Sequence, residues 1–474
     1  MADDSRRRSG EDLISGLPDE LLHAILARLR SARAAARTSV LSRRWRNVWP
    51  HLPEILLDVR LEAAAAAASF PDAVDGALAG CMAPALKRLR VSLSAEHDLR
   101  VPAGRVAPWL RFAAGRVVGE LFLVLPLRRP HVEEEAGLEL PVCRGARKVT
   151  VVLEAVWRLR IQPQLFPALT TLFIHCGTMD GGELSDLVCT RCPRLRNLSL
   201  FVTLVAVTSV TIRSDSLRSL CFRTTNTQRL EVVAPGLKKL SLDHCIQAHI
   251  SAPKLSQLVW YGTYDRRNHQ FPDVGRRIRE LKIGMDSAAP SLMRRFDEVD
   301  VLGIKLCILQ GIVGYQGFLN DMEKKLPKCK TLRVSLLRNH HGLAPIILHL
   351  LRPRSCNSTR KISLAVLHHP KDACPSSCPC CSEESRRFDD TDLGSLDEVE
   401  ITSLKGFHEE FEFVELLSRC NARALKKLVI NYMMPRTPET KEVCNKVRSM
   451  CRPNVKVEFY VFPDGPNGGR VRFG

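Results

Sequence analysis

The stretch Asp12–Pro50 reads DLISGLPDELLHAILARLRSARAAARTSVLSRRWRNVWP and decides how the N-terminal part of the chain folds. Pro18 suits the first turn of a helix, where its missing N–H costs little. Asp19 and Glu20 follow, where carboxylates interact favourably with the helix dipole. Large apolar residues then recur at helical spacing: Leu21, Leu22, Ile25, Leu26 and Leu29. The spacing predicts one amphipathic helix with a wide apolar stripe.

Two more short helices are predicted downstream. Ser31 and Ser42 stand where serine side chains favour helix N-caps, and the second of these helices carries Trp45 and Trp49. Three helices this short bury too little surface to be stable alone. Their apolar side chains either pack only on each other or on the following domain, or leave part of their surface for a second protein, and composition leaves both interpretations open.

The runs LPDELLHAIL and RTSVLSRRWRNVWP resemble the F-box, most closely the form found in large plant families. This resemblance implies docking on a Skp-type adaptor, which links the chain to a cullin and a RING subunit. By position, the residues implied to contact the adaptor are Leu17, Pro18, Leu21, Ile25, Leu26, Leu29, Leu41, Ser42, Trp45 and Trp49. The chain departs from the plant pattern after the first helix, where Arg30 to Arg33 replace a proline and an acidic residue.

A second pattern, apolar-x-x-apolar-x-apolar, returns eleven times. The copies begin at Leu86, Val118, Ala146, Leu169, Leu195, Leu217, Leu237, Leu255, Ile278, Leu396 and Leu425. The last two apolar positions of each copy alternate with polar ones, which indicates strands. Copies recur at leucine-rich-repeat spacing, roughly 20–29 residues, and such repeats must stack to bury their apolar faces. The expected fold class is α/β, a leucine-rich-repeat solenoid of the RNI-like kind, with an ordinary antiparallel β domain as the alternative.

The C-terminal region resembles the FBD segment that follows F-box and leucine-rich repeats in plant proteins. SLDEVEITSLKGFHEEFEFVELLSRCNARALKKLVINYM predicts a strand, a loop, a helix and a strand. The expected domains are a disordered tail (1–10), the F-box (11–55), a connector (56–84), the solenoid (85–345) and an FBD-like α/β region (346–474). Within the connector a strand is predicted over Ile55–Val59 and a helix over 62–80.

The chain is strongly basic, with a net charge of +19. Acidic residues are concentrated between Glu383 and Glu415, so the remainder is more basic still. A basic surface favours acidic partners or nucleic acid, and the alternative is that the basic side chains only solvate a repeat surface. No apolar run reaches the length of about 18 residues that a membrane helix needs. The N-terminus lacks a secretory pattern, and the 17 cysteines show no disulfide framework. We therefore expect reduced thiols and a location in the nucleus, the cytoplasm or both.

A cysteine-rich loop is the one candidate metal site in the sequence. It holds Cys374, Cys378, Cys380 and Cys381, with His368 and His369 upstream, and such side chains bind zinc. However, CxxxCxCC is not a usual zinc-finger pattern, and we predict an exposed thiol-rich loop without metal. Nucleotide-binding and metalloprotease motifs are absent from the sequence, so no cofactor and no catalytic residue are predicted.

The outward-facing positions of the repeat strands are the predicted target-binding surface. They carry Arg88, Arg90, Phe173, His175, Arg223, Lys239, Tyr261 and Lys282. Basic and aromatic side chains on one sheet favour an acidic peptide or domain. The resemblance thus implies a non-catalytic substrate-recognition subunit of an SCF-type ubiquitin ligase. The alternatives are a basic repeat protein that binds nucleic acid and a metal- or redox-responsive protein centred on the cysteine loop.

Overall fold

A computed structural model of the chain describes most of its residues. The described ranges are 16–29, 31–61, 69–93, 101–125, 136–153, 157–243, 245–284, 289–308, 311–322, 326–339, 341–351, 358–366, 374–382, 393–402, 408–419, 425–432, 438–462 and 471–473. The predicted tail 1–10, residues 62–68 of the predicted connector helix, and His368 and His369 lie outside these ranges. The chain divides into two compact units, Met1–Ala234 and Pro235–Gly474.

Unit 1 begins with three short helices. They are α1 (Asp19–Arg28), α2 (Ala32–Arg37) and α3 (Arg43–Val48), with 3-10 turns at Thr38–Val40 and Trp49–His51. Both predicted N-caps are confirmed, because Ser31 accepts a hydrogen bond from the Ala34 N–H at 3.2 Å and Ser42 accepts one from the Trp45 N–H at 3.5 Å. Pro18 itself caps α1 instead of lying in its first turn.

The rest of unit 1 alternates strands with helices. The strands are β1 (Glu54–Asp58), β2 (Leu86–Ser92), β3 (Val117–Val124), β4 (Ala136–Leu140), β5 (Lys148–Val152), β6 (Trp157–Ile161), β7 (Thr171–Met179), β8 (Asn197–Arg213) and β9 (Ser219–Val233). The helices are α4 (Phe70–Ala79), α5 (Ala103–Arg116) and α6 (Gly181–Asp186), the last continued by a π turn, Leu187–Arg191. Strands β1, β2, β3, β5, β7, β8 and β9 pair in that order, all parallel.

Unit 2 contains the same kind of parallel ladder, with one antiparallel strand at its end. Its strands are β10 (Lys239–Asp243), β11 (Gln247–Ser251), β12 (Gln257–Tyr261), β13 (His269–Gln270), β14 (Arg277–Gly284), β15 (Glu298–Ile308), β16 (Lys328–Asn339), β17 (Lys361–Val366), β18 (Glu398–Thr402), β19 (Lys427–Tyr432), β20 (Lys456–Val461) and β21 (Val471–Phe473). The helices are α7 (Ala289–Arg295), α8 (Gly311–Met322), α9 (Leu343–Leu351), α10 (His408–Arg419) and α11 (Pro438–Met450). The ladder runs from β14 to β20 in sequence order and crosses the predicted boundary at 345/346 unbroken.

The repeat pattern explains this ladder. The last two apolar residues of every predicted copy are buried on a strand, and they align across neighbours, as Leu121 does with Val149 and Leu281 with Leu302. The parallel pairing shows that the antiparallel alternative is wrong. The first position of one copy is shifted by one residue, since Val118 is 44% exposed and Val117 is buried instead. The shift arises because the pairing of β3 with β2 has a register irregularity between Leu86 and Arg88.

Predictions for the connector and the C-terminal region are largely confirmed. The strand predicted over Ile55–Val59 is β1, and the described part of the connector helix is α4. The predicted strand, loop, helix and strand are β18, residues 403–407 (outside the described ranges), α10 and β19. Within the described residues, no helix combines the length and the apolar character needed to cross a membrane.

Candidate functional site

The inner face of the three N-terminal helices forms a small core. Its members are Leu22, Leu26, Ala35, Trp45, Val48 and Leu52, with Leu17 and Trp49 packed at its edge. Leu26 and Trp45 are only 2% and 8% exposed. Both side chains therefore belong to the core that holds α1 against α3, and their contact with an adaptor stays a prediction.

The outer face of α1 carries the other half of the apolar stripe. Leu21, Ile25 and Leu29 are 49%, 40% and 43% exposed, one helical turn apart. Leu41, and Val40, which the sequence analysis did not single out, are 66% and 82% exposed after α2. Pro18 and Ser42 are exposed as well. Large aliphatic side chains exposed on a soluble chain mark a surface that binds another molecule.

Polar contacts connect α1 and the residues that precede it with α3. The Arg44 guanidinium pairs with the Asp19 carboxylate at 2.6 Å and donates to the Leu17 carbonyl. The His23 ring contacts the Val48 carbonyl through Nε2 at 3.1 Å. An exposed ion pair contributes only about 0–1 kcal/mol, so these contacts orient the helices and the apolar core stabilises them.

On the outward face of the unit 1 strands, two of the predicted target-binding arginines, Arg88 and Arg90, are already paired with carboxylates. Arg88 lies between Glu54 at 3.2 Å and Glu120 at 3.4 Å, and Lys148 pairs with Glu120 at 2.6 Å. Burial is the largest single influence on the pKa of Glu120 and raises it, but the hydrogen bonds and positive charges of Lys148 and Arg88 together outweigh burial, so the net pKa is lowered. These cations are thus engaged within the sheet.

Arg90 is engaged in the same way. It lies 3.4 Å from the Asp58 carboxylate, and its guanidinium stacks 4.2 Å from the centroid of the Phe122 ring. In unit 2, Lys282 pairs with Glu280 at 3.0 Å, and Lys305 lies 5.0 Å from the Tyr261 ring centroid. Lys239 is exposed on β10 in register with Gln257.

Three predicted residues of unit 1 meet in one aromatic cluster, which we define as Phe173, His175, Phe201 and Arg223. The His175 and Phe201 rings are 4.9 Å apart, and Phe173 lies 6.0 Å from each. Arg223 stacks 5.0 Å from the Phe201 ring. Phe201 was missed by the sequence analysis, although it directly follows the last apolar position of its repeat, as His175 and Arg223 do.

The C-terminal end of the ladder in unit 2 carries one strongly perturbed acid. Glu458 on β20 is only 5% exposed, and it accepts from Lys427 at 2.8 Å, Lys456 at 2.9 Å and the Tyr460 hydroxyl at 3.0 Å. The hydrogen bond from Lys427 is the largest cause lowering the pKa of Glu458 to about 2. The ionised carboxylate therefore stabilises the folded state.

This pairing predicts an acid-dependent loss of stability. Because the folded pKa of Glu458 is below its ordinary value of 4.5, its contribution is complete above about pH 4.5 and is lost as the pH falls towards 2. With screening by solvent, we expect the wild type to lose about 1–2 kcal/mol more unfolding free energy over this range than Glu458→Gln. Urea denaturation at several pH values measures this. Exposed Glu442 on α11 supplies the control, and Glu442→Gln should follow the wild type. Parallel curves for Glu458→Gln and wild type would contradict the assignment.

The cysteine loop is folded against the rest of unit 2. Cys378 and Cys380 are 1% and 2% exposed, while Cys374 and Cys381 are half-buried. The prediction of an exposed loop is therefore wrong for its central cysteines. Among the described residues, the histidine beside them is His341, which precedes α9 and lies 3.2–3.6 Å from three of the sulfurs.

Comparison with known families matches both parts of this architecture. Residues 14–55 match the F-box domain. Residues 106–309 match a family described as "FBD-associated F-box protein At5g56370, LRR repeats". The first match covers the three N-terminal helices and their exposed apolar face, and the second covers strands β3 to β15.

Similar proteins are found in Arabidopsis thaliana. "F-box/FBD/LRR-repeat protein At5g22660" is 29% identical over 50% of this chain and 53% of its own length. "F-box protein At5g03100" is 37% identical over 23% of this chain and 32% of its own length. The chain thus spans about half and about a third of these two relatives. "Putative FBD-associated F-box protein At5g50270" is 25% identical over 89% of this chain and 97% of its own length. No solved structure matches the chain.

Proposed function

Because the chain is an F-box protein with FBD-associated leucine-rich repeats, we propose that it is the substrate-recognition subunit of an SCF-type ubiquitin ligase. In this role the F-box binds a Skp-type adaptor and, through it, the cullin and RING subunits. The repeats hold a target protein. The chain supplies proximity and orientation, and the E2 on the RING subunit catalyses ubiquitin transfer.

The exposed apolar face of α1 carries this proposal. Leu22 and Leu26 fill the inner core, while Leu21, Ile25 and Leu29 keep 40–49% of their surface exposed on the same ten-residue helix and its end. Exposure of a second apolar side to water is unfavourable, so a partner that covers this side, as an adaptor groove would do, stabilises the helix. We place the adaptor contact on Leu21, Ile25, Leu29 and Leu41, flanked by Leu17, Pro18, Ser42 and Trp49.

For the target, the aromatic cluster of unit 1 is the surface best suited to recognition. Aromatic and arginine side chains dominate binding hot spots because they bury large areas at low entropic cost. Arg88, Arg90 and Lys282 already pair with neighbouring carboxylates, so an acidic target would have to displace these contacts. We therefore centre target contact on Phe173, His175, Phe201 and Arg223.

The adaptor contact predicts a selective loss of binding. Ile25→Asp places a carboxylate on the outer face of α1 without touching the core, and we expect adaptor binding to weaken at least about thirtyfold, the effect of one hot spot worth about 2 kcal/mol. Isothermal titration with a purified Skp-type adaptor measures this. The matched control is Leu165→Asp, since Leu165 is also an aliphatic residue of unit 1 and is 58% exposed. Its affinity should equal that of the wild type.

Two outcomes oppose the proposal. One is a wild-type chain that binds no Skp-type adaptor, and the other is equal binding by Ile25→Asp and wild type. The non-catalytic role has its own test: incubation with ubiquitin, E1 and E2 should give no reducible ubiquitin thioester on this chain. We further propose that the complex acts in the nucleus, the cytoplasm or both, where the described cysteines, which form no disulfide, remain reduced. Imaging of a fluorescent fusion tests this location.

A further inference from the structure

One imidazole and three thiols converge in unit 2, from two segments that are distant in sequence. The Nδ1 atom of His341 lies 3.2 Å from the Cys380 sulfur, 3.3 Å from the Cys374 sulfur and 3.6 Å from the Cys378 sulfur. The Cys378 and Cys380 sulfurs are 3.3 Å apart. All four ligand atoms lie within 4.8 Å of one another.

The surrounding structure holds these groups in place. His341 is fully buried, and its ring lies 5.0 Å from that of Tyr315 on α8. The loop is folded by two backbone turns, in which the Cys378 N–H donates to the Pro375 carbonyl at 2.8 Å and the Cys381 N–H donates to the Cys378 carbonyl at 2.9 Å. These turns point three sulfurs at one nitrogen.

We propose that His341, Cys374, Cys378 and Cys380 bind one Zn²⁺ ion. A tetrahedral zinc with bonds of about 2.3 Å to sulfur and about 2.0–2.1 Å to nitrogen holds its ligand atoms roughly 3.5–3.8 Å apart, close to the spacing observed. One histidine and three cysteines are a usual set for structural zinc. On binding, the coordinating thiols release their protons to solvent and the ion bonds to the thiolates and to the neutral imidazole.

Geometry and burial assign the ion a structural role. The four protein ligands complete the coordination, so no position remains for water or substrate. The ion joins the cysteine loop to the segment before α9 and, through the contact of His341 with Tyr315, to α8. Stabilisation of this part of unit 2 is the expected consequence.

A disulfide is the competing explanation for clustered cysteines. Its sulfurs must lie about 2.05 Å apart, whereas the sulfurs of Cys378 and Cys380 are 3.3 Å apart and those of Cys380 and Cys381 are 3.7 Å apart, and none of the four cysteines forms a disulfide. A disulfide also gives no reason for an imidazole nitrogen to lie almost equally far from three sulfurs. Zinc coordination accounts for both observations.

Metal analysis of the full chain, purified under reducing conditions without chelator or histidine tag, tests the site. We expect about one zinc per chain in the wild type and almost none in His341→Ala and Cys378→Ser. Cys381→Ser is the matched control, since Cys381 lies in the same turn outside the proposed ligand set, and it should keep the metal. His341→Cys should also keep it, because four cysteines bind zinc as well.

A second measurement keeps the test decisive if ligand variants fold poorly. Chelation of the wild-type chain should lower its melting temperature, and added Zn²⁺ should restore it. Cobalt exchanged into the wild type should show the visible spectrum of tetrahedral thiolate coordination. A wild-type chain without stoichiometric zinc, before and after incubation with Zn²⁺ under reducing conditions, would overturn the proposal. So would a thiol titration that finds two of these cysteines oxidised together.

Discussion

Trp45→Ala is expected to unfold the F-box and to lower the unfolding free energy of this helical unit by about 3–5 kcal/mol. Trp45 is the largest side chain of a core whose described members are Leu22, Leu26, Ala35, Trp45, Val48 and Leu52. So small a core holds few side chains that could move into the cavity, and the total stability of small domains is of similar size. The loss of folded structure should therefore be confined to the three N-terminal helices and should be nearly complete there.

Hydrogen–deuterium exchange resolved along the chain measures this effect. Amides of α1, α2 and α3 should lose protection in Trp45→Ala, while amides of the repeat strands keep theirs. The control is Leu41→Ala, since Leu41 is 66% exposed and its removal should change stability by no more than about 0.5 kcal/mol. Unchanged protection in Trp45→Ala would mean that Trp45 is not a core residue.

Gly119→Ala should destabilise unit 1 by about 3 kcal/mol through collision with backbone. An added Cβ at Gly119 would lie 2.1 Å from the Lys87 carbonyl oxygen and 3.0 Å from its carbon. Backbone atoms of a paired strand cannot rotate away as a side chain does, so β2 and β3 would have to separate. This is also where their register shifts, between Leu86 and Arg88.

Gly115, at the end of α5, is the matched control because a Cβ there meets no atom within 4 Å. Gly115→Ala should be neutral or stabilise the protein by up to about 1 kcal/mol, as alanine favours helix over glycine. Thermal or urea denaturation of both variants compares them directly. Equal stability of the two variants would show that β2 and β3 tolerate the larger separation.

Much of the ladder was predictable because its periodicity follows directly from burial. In the copy that begins at Leu195, Leu198 and Leu200 alternate with outward-facing residues, and both are buried on β8. Elements without such a period were missed. Helix α9 is buried along almost its whole length, so LAPIILHLL shows no polar face from which to recognise a helix. Helix α5 contains Pro108, which argues against a helix when the sequence is considered alone.

The candidate sites were less predictable because they depend on which face of an element meets another. The apolar stripe of α1 includes Leu21 and Leu26, and its sequence does not say which of them meets α3. His341 lies 33 residues before Cys374 and gives no local signal of their contact. Phe201 could have been predicted from the sequence, since an alignment of the repeats places it beside His175 and Arg223.

Because buried and outward-facing residues alternate along the repeat strands, different residues determine the packing of the interior and the properties of the outer surface. Residues such as Leu200 and Phe222 maintain the packed interior, while the next residues, Phe201 and Arg223, face outward. In the proposed role, substitutions at the outward-facing positions of a duplicated gene change which target protein is bound. The buried interior and the outer face of α1, which binds the adaptor, stay unchanged. Such a scaffold allows paralogues to diverge in binding specificity while the buried residues that determine the fold are retained.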